Sequence, residues 1–172
     1  MTGTITENAT VVLPDLPVFT IQPGTGQAVR LEPDQVRPPL SPGNYGDVSL
    51  KSRSKLTLQS GTYRFGTVQT EPDSQLILNK TSGPIYIHMK SLTHRGKIVD
   101  ATGDNYGKTL FAVAGRDPIF IEGPFVGTLL APNANVTIGT STAPEHRGVF
   151  QARTVLVRSK ETLYHLPWSY AE

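Results

Sequence analysis

The sequence predicts an all-β protein, a single-stranded parallel β-helix (β-solenoid) of about six rungs, on three observations. First, Leu40-Ser-Pro-Gly-Asn-Tyr45 returns as Leu58-Gln-Ser-Gly-Thr-Tyr63, with leucine, glycine and tyrosine each displaced by 18 positions. Second, short segments carry apolar residues two apart, which places them on one face of a strand. Third, 16 glycines and 14 prolines punctuate 172 residues, and no window has convincing amphipathic-helix spacing. We therefore expect stacked short strands and almost no α-helix.

The predicted strands follow one another from Leu40 onward, with turn residues between them. In chain order they are Val48–Leu50, Lys55–Leu58, Tyr63–Phe65, Leu76–Leu78, Ile85–His88, Val136–Ile138 and Val155–Val157. Gly127–Ala131 is echoed by Gly148–Ala152 at a longer step than that between the two tyrosine phrases, as expected where loops bulge outward. The largest excursion is predicted at residues 94 to 109. We expect the apolar strand residues to form inward ladders: Leu56, Leu58, Leu76, Leu78, Ile85, Ile87, Val136, Ile138, Val155 and Val157.

The two ends of the chain differ from its repetitive middle. Residues 1–39 contain six prolines and two strand-like stretches, Thr10–Leu13 and Val18–Ile21, which predict an extended proline-rich arm or cap. Residues 40–172 are predicted as the β-solenoid domain. Its last residues, 163 to 170, are rich in aromatic side chains and predict a cap over the final rung. The alternative is an exposed stacking platform for a sugar ring.

Composition restricts the class of protein without identifying its function. A length of 172 residues fits one domain, and a net charge of +2 gives no argument for nucleic acid. The chain has no cysteine, no apolar run long enough to span a membrane, and no visible signal peptide. Residues 51 to 100 hold eight Lys or Arg against three Asp or Glu, which predicts a modest basic face.

Motifs with specific chemistry are weak. The stretch from Gly103 to Thr109 imitates a phosphate-binding loop, but three residues separate its glycines instead of four, and a strand follows where a helix is needed. The histidines have no metal-ligand spacing, so neither a metal nor another cofactor is expected. If a ligand is bound at the excursion or by the aromatic residues, the candidate contacting residues are Lys90, His94, Arg95, Lys97, Tyr106 and Trp168. No catalytic residue is predicted.

Four stretches resemble a family of uncharacterised bacterial β-solenoid modules from secreted, lipid-anchored or pilus-associated surface proteins. They are Leu40–Gly46, Leu56–Phe65, Phe120–Ala134 and Arg147–Arg153. The phrase Gly127-Thr-Leu-Leu-Ala-Pro-Asn-Ala134 is the most specific of them. The resemblance implies a fold and an extracellular or cell-surface location, and it brings no catalytic residues. The chain departs from the resemblance in beginning with Met1 and no export signal. Either it is excised from a larger secreted protein, which we favour, or it is an intracellular relative whose rungs were recruited to an assembly.

Three hypotheses of function follow. The first is a non-enzymatic structural or adhesive module that binds a protein or glycan partner through a lateral face. The second is a carbohydrate-binding module or polysaccharide-cleaving enzyme on a β-helix scaffold, using Lys90 to Lys97 or the aromatic residues Tyr106, Tyr164 and Trp168. The third is self-association as a homo-oligomer through the solenoid ends. Neither nucleic-acid binding nor membrane insertion is expected.

Overall fold

A computed structural model describes residues 20–103, 106–139 and 145–166. They form fifteen strands and a short 3₁₀ turn at Tyr106–Lys108, with no α-helix. The strands are β1 (Val29–Leu31), β2 (Gly43–Asn44), β3 (Val48–Leu50), β4 (Lys55–Gln59), β5 (Gly61–Arg64), β6 (Thr67–Thr70), β7 (Gln75–Asn79), β8 (Ile85–Met89), β9 (Ser91–His94), β10 (Lys97–Asp100), β11 (Thr109–Val113), β12 (Ile119–Ile121), β13 (Val126–Ile138), β14 (Glu145–Val157) and β15 (Thr162–His165). No helix in this part of the chain is long and apolar enough to cross a membrane.

The strands wind into a β-solenoid of about six turns, and every strand pairing is parallel. Face A contains β1, β3, β6, β9, β12 and the second halves of β13 and β14. Face B contains β4, β7 and β10. Face C contains β2, β5, β8, β11, the first halves of β13 and β14, and β15. The predicted fold class is therefore confirmed.

Inward ladders of apolar side chains fill the solenoid, because alternate residues of each strand point to its interior. One face A ladder consists of Val29, Val48, Val68, Leu92, Ile119 and Val136, none of them more than 4% exposed. The predicted inward residues on β4, β7, β8 and β13 are likewise buried. Val155 and Val157 keep this register but are 40% and 39% exposed, because they lie on the last face A strand of the described chain.

The repeated phrase marks a recurring local corner. Leu40 and Leu58 form a parallel bridge, as the repeat predicts, but Gly43 pairs with Tyr63 and Tyr45 lies against Phe65. Each tyrosine hydroxyl nevertheless contacts the backbone four residues earlier. The Tyr45 hydroxyl donates to the Ser41 carbonyl at 2.7 Å, and the Tyr63 hydroxyl accepts from the Gln59 N–H at 2.8 Å and lies 2.7 Å from the Leu40 carbonyl. The phrase therefore specifies a tyrosine-braced turn, and its period only approximates the pairing register.

Face B ends after three strands, which narrows the coil. The rung from Thr93 on β9 to its partner Phe120 on β12 includes the face B strand β10 and the face C strand β11. The next rung, from Ile119 on β12 to its partner Val136 on β13, is shorter and has no face B strand. The chain takes this short path at Gly123, where an added Cβ would lie 1.7 Å from the carbonyl oxygen of Gly96. Only glycine permits that approach. Beyond this point the strands of the described residues lie on face C and face A alone.

Strand pairing begins inside the range predicted as an arm, since β1 pairs with β3. The residues before β1 cross the outside of face C. Gln22 N–H bonds His88 Nδ1 at 3.2 Å, Gly24 N–H bonds the Phe65 carbonyl at 2.8 Å, and Thr25 N–H bonds Asn44 Oδ1 at 3.1 Å. The stretch Thr10–Leu13, the first two residues of Val18–Ile21 and the aromatic end beyond residue 166 lie outside the described residues, and Thr20 and Ile21 are not part of a strand.

Candidate functional site

The predicted basic residues are distributed over two corners and two faces of the solenoid. Lys90 is exposed at the turn between β8 and β9, and Arg95 lies at the opposite end of β9. The extended chain between them corresponds to about 16 Å. Lys97 is exposed at the start of β10 on face B. Arg95 Nε bonds Glu122 Oε2 at 2.7 Å. The structure therefore does not gather these cations into one site.

His94 has a different place from the surface contact that the sequence predicts. Its side chain points inward from the last residue of β9 and is 1% exposed. It occupies a ladder whose other members include Leu50, Thr70, Ile121 and Ile138. A buried imidazole in this position cannot contact a ligand at the surface, so the role of His94 is inside the fold.

The hydrogen bonds of His94 define its neutral tautomer. Nε2 lies 3.2 Å from the Pro124 carbonyl, which can only accept, so Nε2 carries the proton. Nδ1 lies 3.0 Å from Thr70 Oγ1, and this oxygen accepts hydrogen bonds from the backbone N–H groups of Arg95 and Gly96. The Thr70 hydroxyl hydrogen is therefore directed at Nδ1. Burial lowers the pKa of His94 to about 4, against the hydrogen bond to Pro124.

Replacing His94 with Leu is expected to remove part of the acid sensitivity of the fold. The pKa is about 4 in the folded state and 6.5 ordinarily, so the unfolded chain binds the proton first. The free energy of unfolding is therefore unaffected by this residue above pH 6.5 and decreases as the pH drops toward 4. The total decrease due to His94 is roughly 3 kcal/mol. Urea denaturation between pH 7 and pH 4 measures the change. The exposed His165→Leu is the matched control, and an unchanged slope in H94L would contradict the assignment.

Tyr106 begins the 3₁₀ turn that leads into β11. Its side chain and the whole of Trp168 lie outside the described residues, so their predicted ligand contacts stay predictions. Tyr164 is 47% exposed on β15, with the Arg147 guanidinium 5.4 Å from its ring centroid. Of the proposed aromatic surface, only Tyr164 is described with its side chain.

One buried ion pair and one buried histidine–carboxylate contact are present, and the sequence analysis does not anticipate them. Lys80 Nζ and Asp100 Oδ2 are 2.7 Å apart, with the two side chains 1% and 3% exposed. His146 Nε2 lies 3.2 Å from Glu161 Oε2 in a similarly enclosed place. Burial lowers the pKa of His146, while the nearby Glu161 carboxylate opposes that shift. These groups hold neighbouring rungs together.

The interior leaves almost no room for a ligand at the gap beside His94. This gap measures about 10 Å³ and is lined by residues of several rungs, among them Phe111 and Phe125. Such a volume is close to that of one water molecule. The Phe125 ring also packs 5.0 Å from Phe111 and 5.3 Å from Phe150, centroid to centroid. Any substantial ligand would therefore have to bind outside these packed side chains.

Face B offers a flat outer surface made by the three paired strands. Lys55, Gln75 and Lys97 are in register along one outward column. Thr57, Ile77 and Val99 form the next column, and Val99 is 36% exposed. Neighbouring strands are spaced about 4.8 Å apart, so the two lysines lie roughly 10 Å apart at the backbone. This combination of cations and apolar side chains is the candidate interaction surface.

A second outer feature is a charge ladder at the corner where face A turns toward face B. Successive rungs place residues of alternating sign directly after the face A strand: Glu32, Lys51, Glu71, Arg95 and Glu122. Lys51 Nζ bonds Glu71 Oε1 at 2.8 Å, and Arg95 bonds Glu122. These contacts raise the pKa of Lys51 and lower the pKa of Glu71, chiefly through their mutual hydrogen bond. We call this column the charged corner.

The charged corner also has a fixed backbone conformation. Asp34, Arg53, Asp73 and Lys160 all have positive φ, between 61° and 74°, two residues beyond the ladder position. Arg53 forms a two-pronged pair with Asp34 at 2.6 and 2.7 Å. The sequence signal is present as triplets of opposite charge, Glu32-Pro-Asp34 and Glu71-Pro-Asp73 against Lys51-Ser-Arg53 and Arg158-Ser-Lys160. Only the strand register shows that these triplets lie in one column.

Comparison of the chain with models of protein families, with curated proteins and with solved structures finds no match in any of the three.

Proposed function

We propose that this chain is a non-enzymatic structural or adhesive module of a bacterial surface or secreted protein. The observation that carries the proposal is the difference between the two sides of each strand. Inward residues form continuous ladders that stiffen the solenoid, while outward residues of face B remain available to a partner. A rigid rod with flat lateral faces suits a spacer or a binding surface.

The roles of the buried ionisable groups support this proposal. His94 is held between Thr70 and Pro124, and Lys80 is held by Asp100. Both arrangements connect residues of different rungs, so these groups stabilise the fold. The resemblance of the sequence to surface-protein modules supports the proposed location.

The proposal predicts that the full chain does not cleave acidic polysaccharides. A panel of polyuronates and sulfated glycans is incubated with the protein, and unsaturated products and reducing ends are followed over time. Cleavage that Lys97→Ala abolishes, while Lys90→Ala leaves it intact, would overturn the non-enzymatic proposal. Both residues are exposed lysines, so the two variants are matched in chemistry.

A sugar-binding function is the second candidate, and the lysine column of face B favours it. Lys55 and Lys97 flank Gln75 on the outer side of face B, where each ammonium group can form a charge-assisted hydrogen bond with a carboxylate of an acidic glycan. Binding on a glycan array that Lys55→Gln and Lys97→Gln together remove would support this candidate. Arg30→Gln, on the outside of face A, is the control for loss of positive charge.

A further inference from the structure

The charged corner ends in opposite signs at the two ends of the solenoid. Its first triplet is Glu32-Pro33-Asp34, directly after β1, and its last is Arg158-Ser159-Lys160, directly after β14. Arg158 belongs to the same column, because it follows Val157 and lies over Gly139. In the described part of the chain neither Arg158 nor Lys160 makes an ion pair. Gly139 separates Glu122 from Arg158 in this column, so the column begins with an acidic triplet, whose Asp34 is paired with Arg53, and ends with a basic triplet that has no ion pair among the described residues.

The two ends of face A also match in backbone register. Within the described residues β1 pairs only with β3, and the second half of β14 pairs only with β13. Among the described residues, each end strand therefore has one edge without a strand partner. At the β14 end, Val155, Leu156 and Val157 are 40%, 59% and 39% exposed, whereas Val29 and Leu31 of β1 are buried. The exposed apolar surface that a partner could bury therefore lies at the β14 end.

We propose that a second copy of this chain stacks head to tail on the first, with its β1 edge against the β14 edge. In this register Val29 of the second copy lies opposite Val155 and Leu31 lies opposite Val157, and the apolar area gained comes from Val155 and Val157 because Val29 and Leu31 are already buried. Glu32 then meets Arg158, and Asp34 meets Lys160. The contact reproduces the internal one, in which the basic triplet at Lys51 lies between acidic triplets of the rungs on either side.

Charge selects this arrangement over a two-fold dimer of β14 edges. In an antiparallel pairing of Arg153–Val157 with itself, Arg158 and Lys160 would approach Arg153 of the second copy, and like charges repel. The head-to-tail contact joins different surfaces and does not close on itself, so it generates an open filament. The corner residues are exposed, so the association should weaken as salt is raised. This inference rests on the proposed structural role and specifies self-association.

The test is a charge exchange followed by sedimentation velocity over a dilution series of the full chain. R158E/K160E makes the β14 end acidic, and E32K/D34K makes the β1 end basic. Each variant alone should associate about tenfold more weakly than the unmodified chain at low salt. An equimolar mixture should recover association, because every end then meets the opposite charge. K90E/R116E is the control, since it applies the same charge change as R158E/K160E at exposed positions of the middle rungs, between β8 and β9 and between β11 and β12.

Circular dichroism melts first establish that each variant is folded, and R158Q/K160Q replaces R158E/K160E if that variant is not. The inference is overturned if the unmodified chain stays a single species at every concentration, if the end variants associate as it does, or if the mixture gains nothing. If the chain does not self-associate and also does not cleave glycans, the head-to-tail stacking is wrong but the proposed non-enzymatic role is unaffected. Glycan cleavage that depends on Lys97 would overturn that role without changing the sedimentation result.

Discussion

Replacing Leu58 with Asp is expected to abolish cooperative folding. Leu58 is fully buried in the face B ladder between Leu40 and Leu78, so the substitution places a carboxyl group among aliphatic side chains. The lost apolar burial costs about 1.5 to 3 kcal/mol, and the unpaired carboxylate costs several more. A domain of this size has about 5 to 15 kcal/mol of stability in total. Circular dichroism and urea denaturation measure the loss.

Thr57→Asp is the matched control, one residue away on the same strand. Thr57 points outward and is only partly buried, so its carboxylate would remain hydrated. We expect the free energy of unfolding of T57D to differ from that of the unmodified chain by no more than about 0.5 kcal/mol. If L58D were folded and as stable as T57D, the inward register of face B would be wrong. Comparison of L58D with T57D therefore tests whether residues of β4 alternate between the interior and the outer surface.

The fold could be predicted because inward ladders leave a two-residue alternation in the sequence. Val136–Ile138 and Val155–Val157 carry the same alternation, and the structure pairs them in register. The step from Leu40 to Leu58 is likewise readable. The narrowing at Gly123 could not be predicted, because it depends on how close two backbone segments approach, and single-sequence periodicity contains no such distance.

The candidate site was harder to predict because side-chain direction depends on register. The sequence groups His94 with Lys90 and Lys97 as part of a basic loop, but β9 extends to His94 and directs it inward. A two-residue count from Leu92 would have found this. Asp100 gives a comparable case, since it continues the inward column of Leu58 and Leu78. A charged residue in an apolar column indicates a buried partner, which only the fold identifies as Lys80.

Replacing Lys80 with Met is expected to destabilise the fold by about 3 to 5 kcal/mol. Methionine keeps the apolar part of the side chain but lacks the terminal ammonium group that contacts Asp100 Oδ2 at 2.7 Å. The other oxygen, Oδ1, accepts from the backbone and hydroxyl of Thr102 and cannot replace this bond. The carboxylate is then left buried without its cation. Urea denaturation at neutral pH gives the change in the free energy of unfolding.

The double variant K80M/D100L distinguishes the loss of the ion pair from a general loss of packing. Leucine at position 100 extends the ladder of Leu40, Leu58 and Leu78, so both charges are replaced by groups that suit the interior. Replacing a buried pair by apolar residues is often close to neutral, whereas removing one partner is not. We therefore expect K80M/D100L to recover about 2 kcal/mol relative to K80M, within the range of coupling between contacting residues. A double variant no more stable than K80M would mean that Lys80 acts chiefly through contacts other than Asp100.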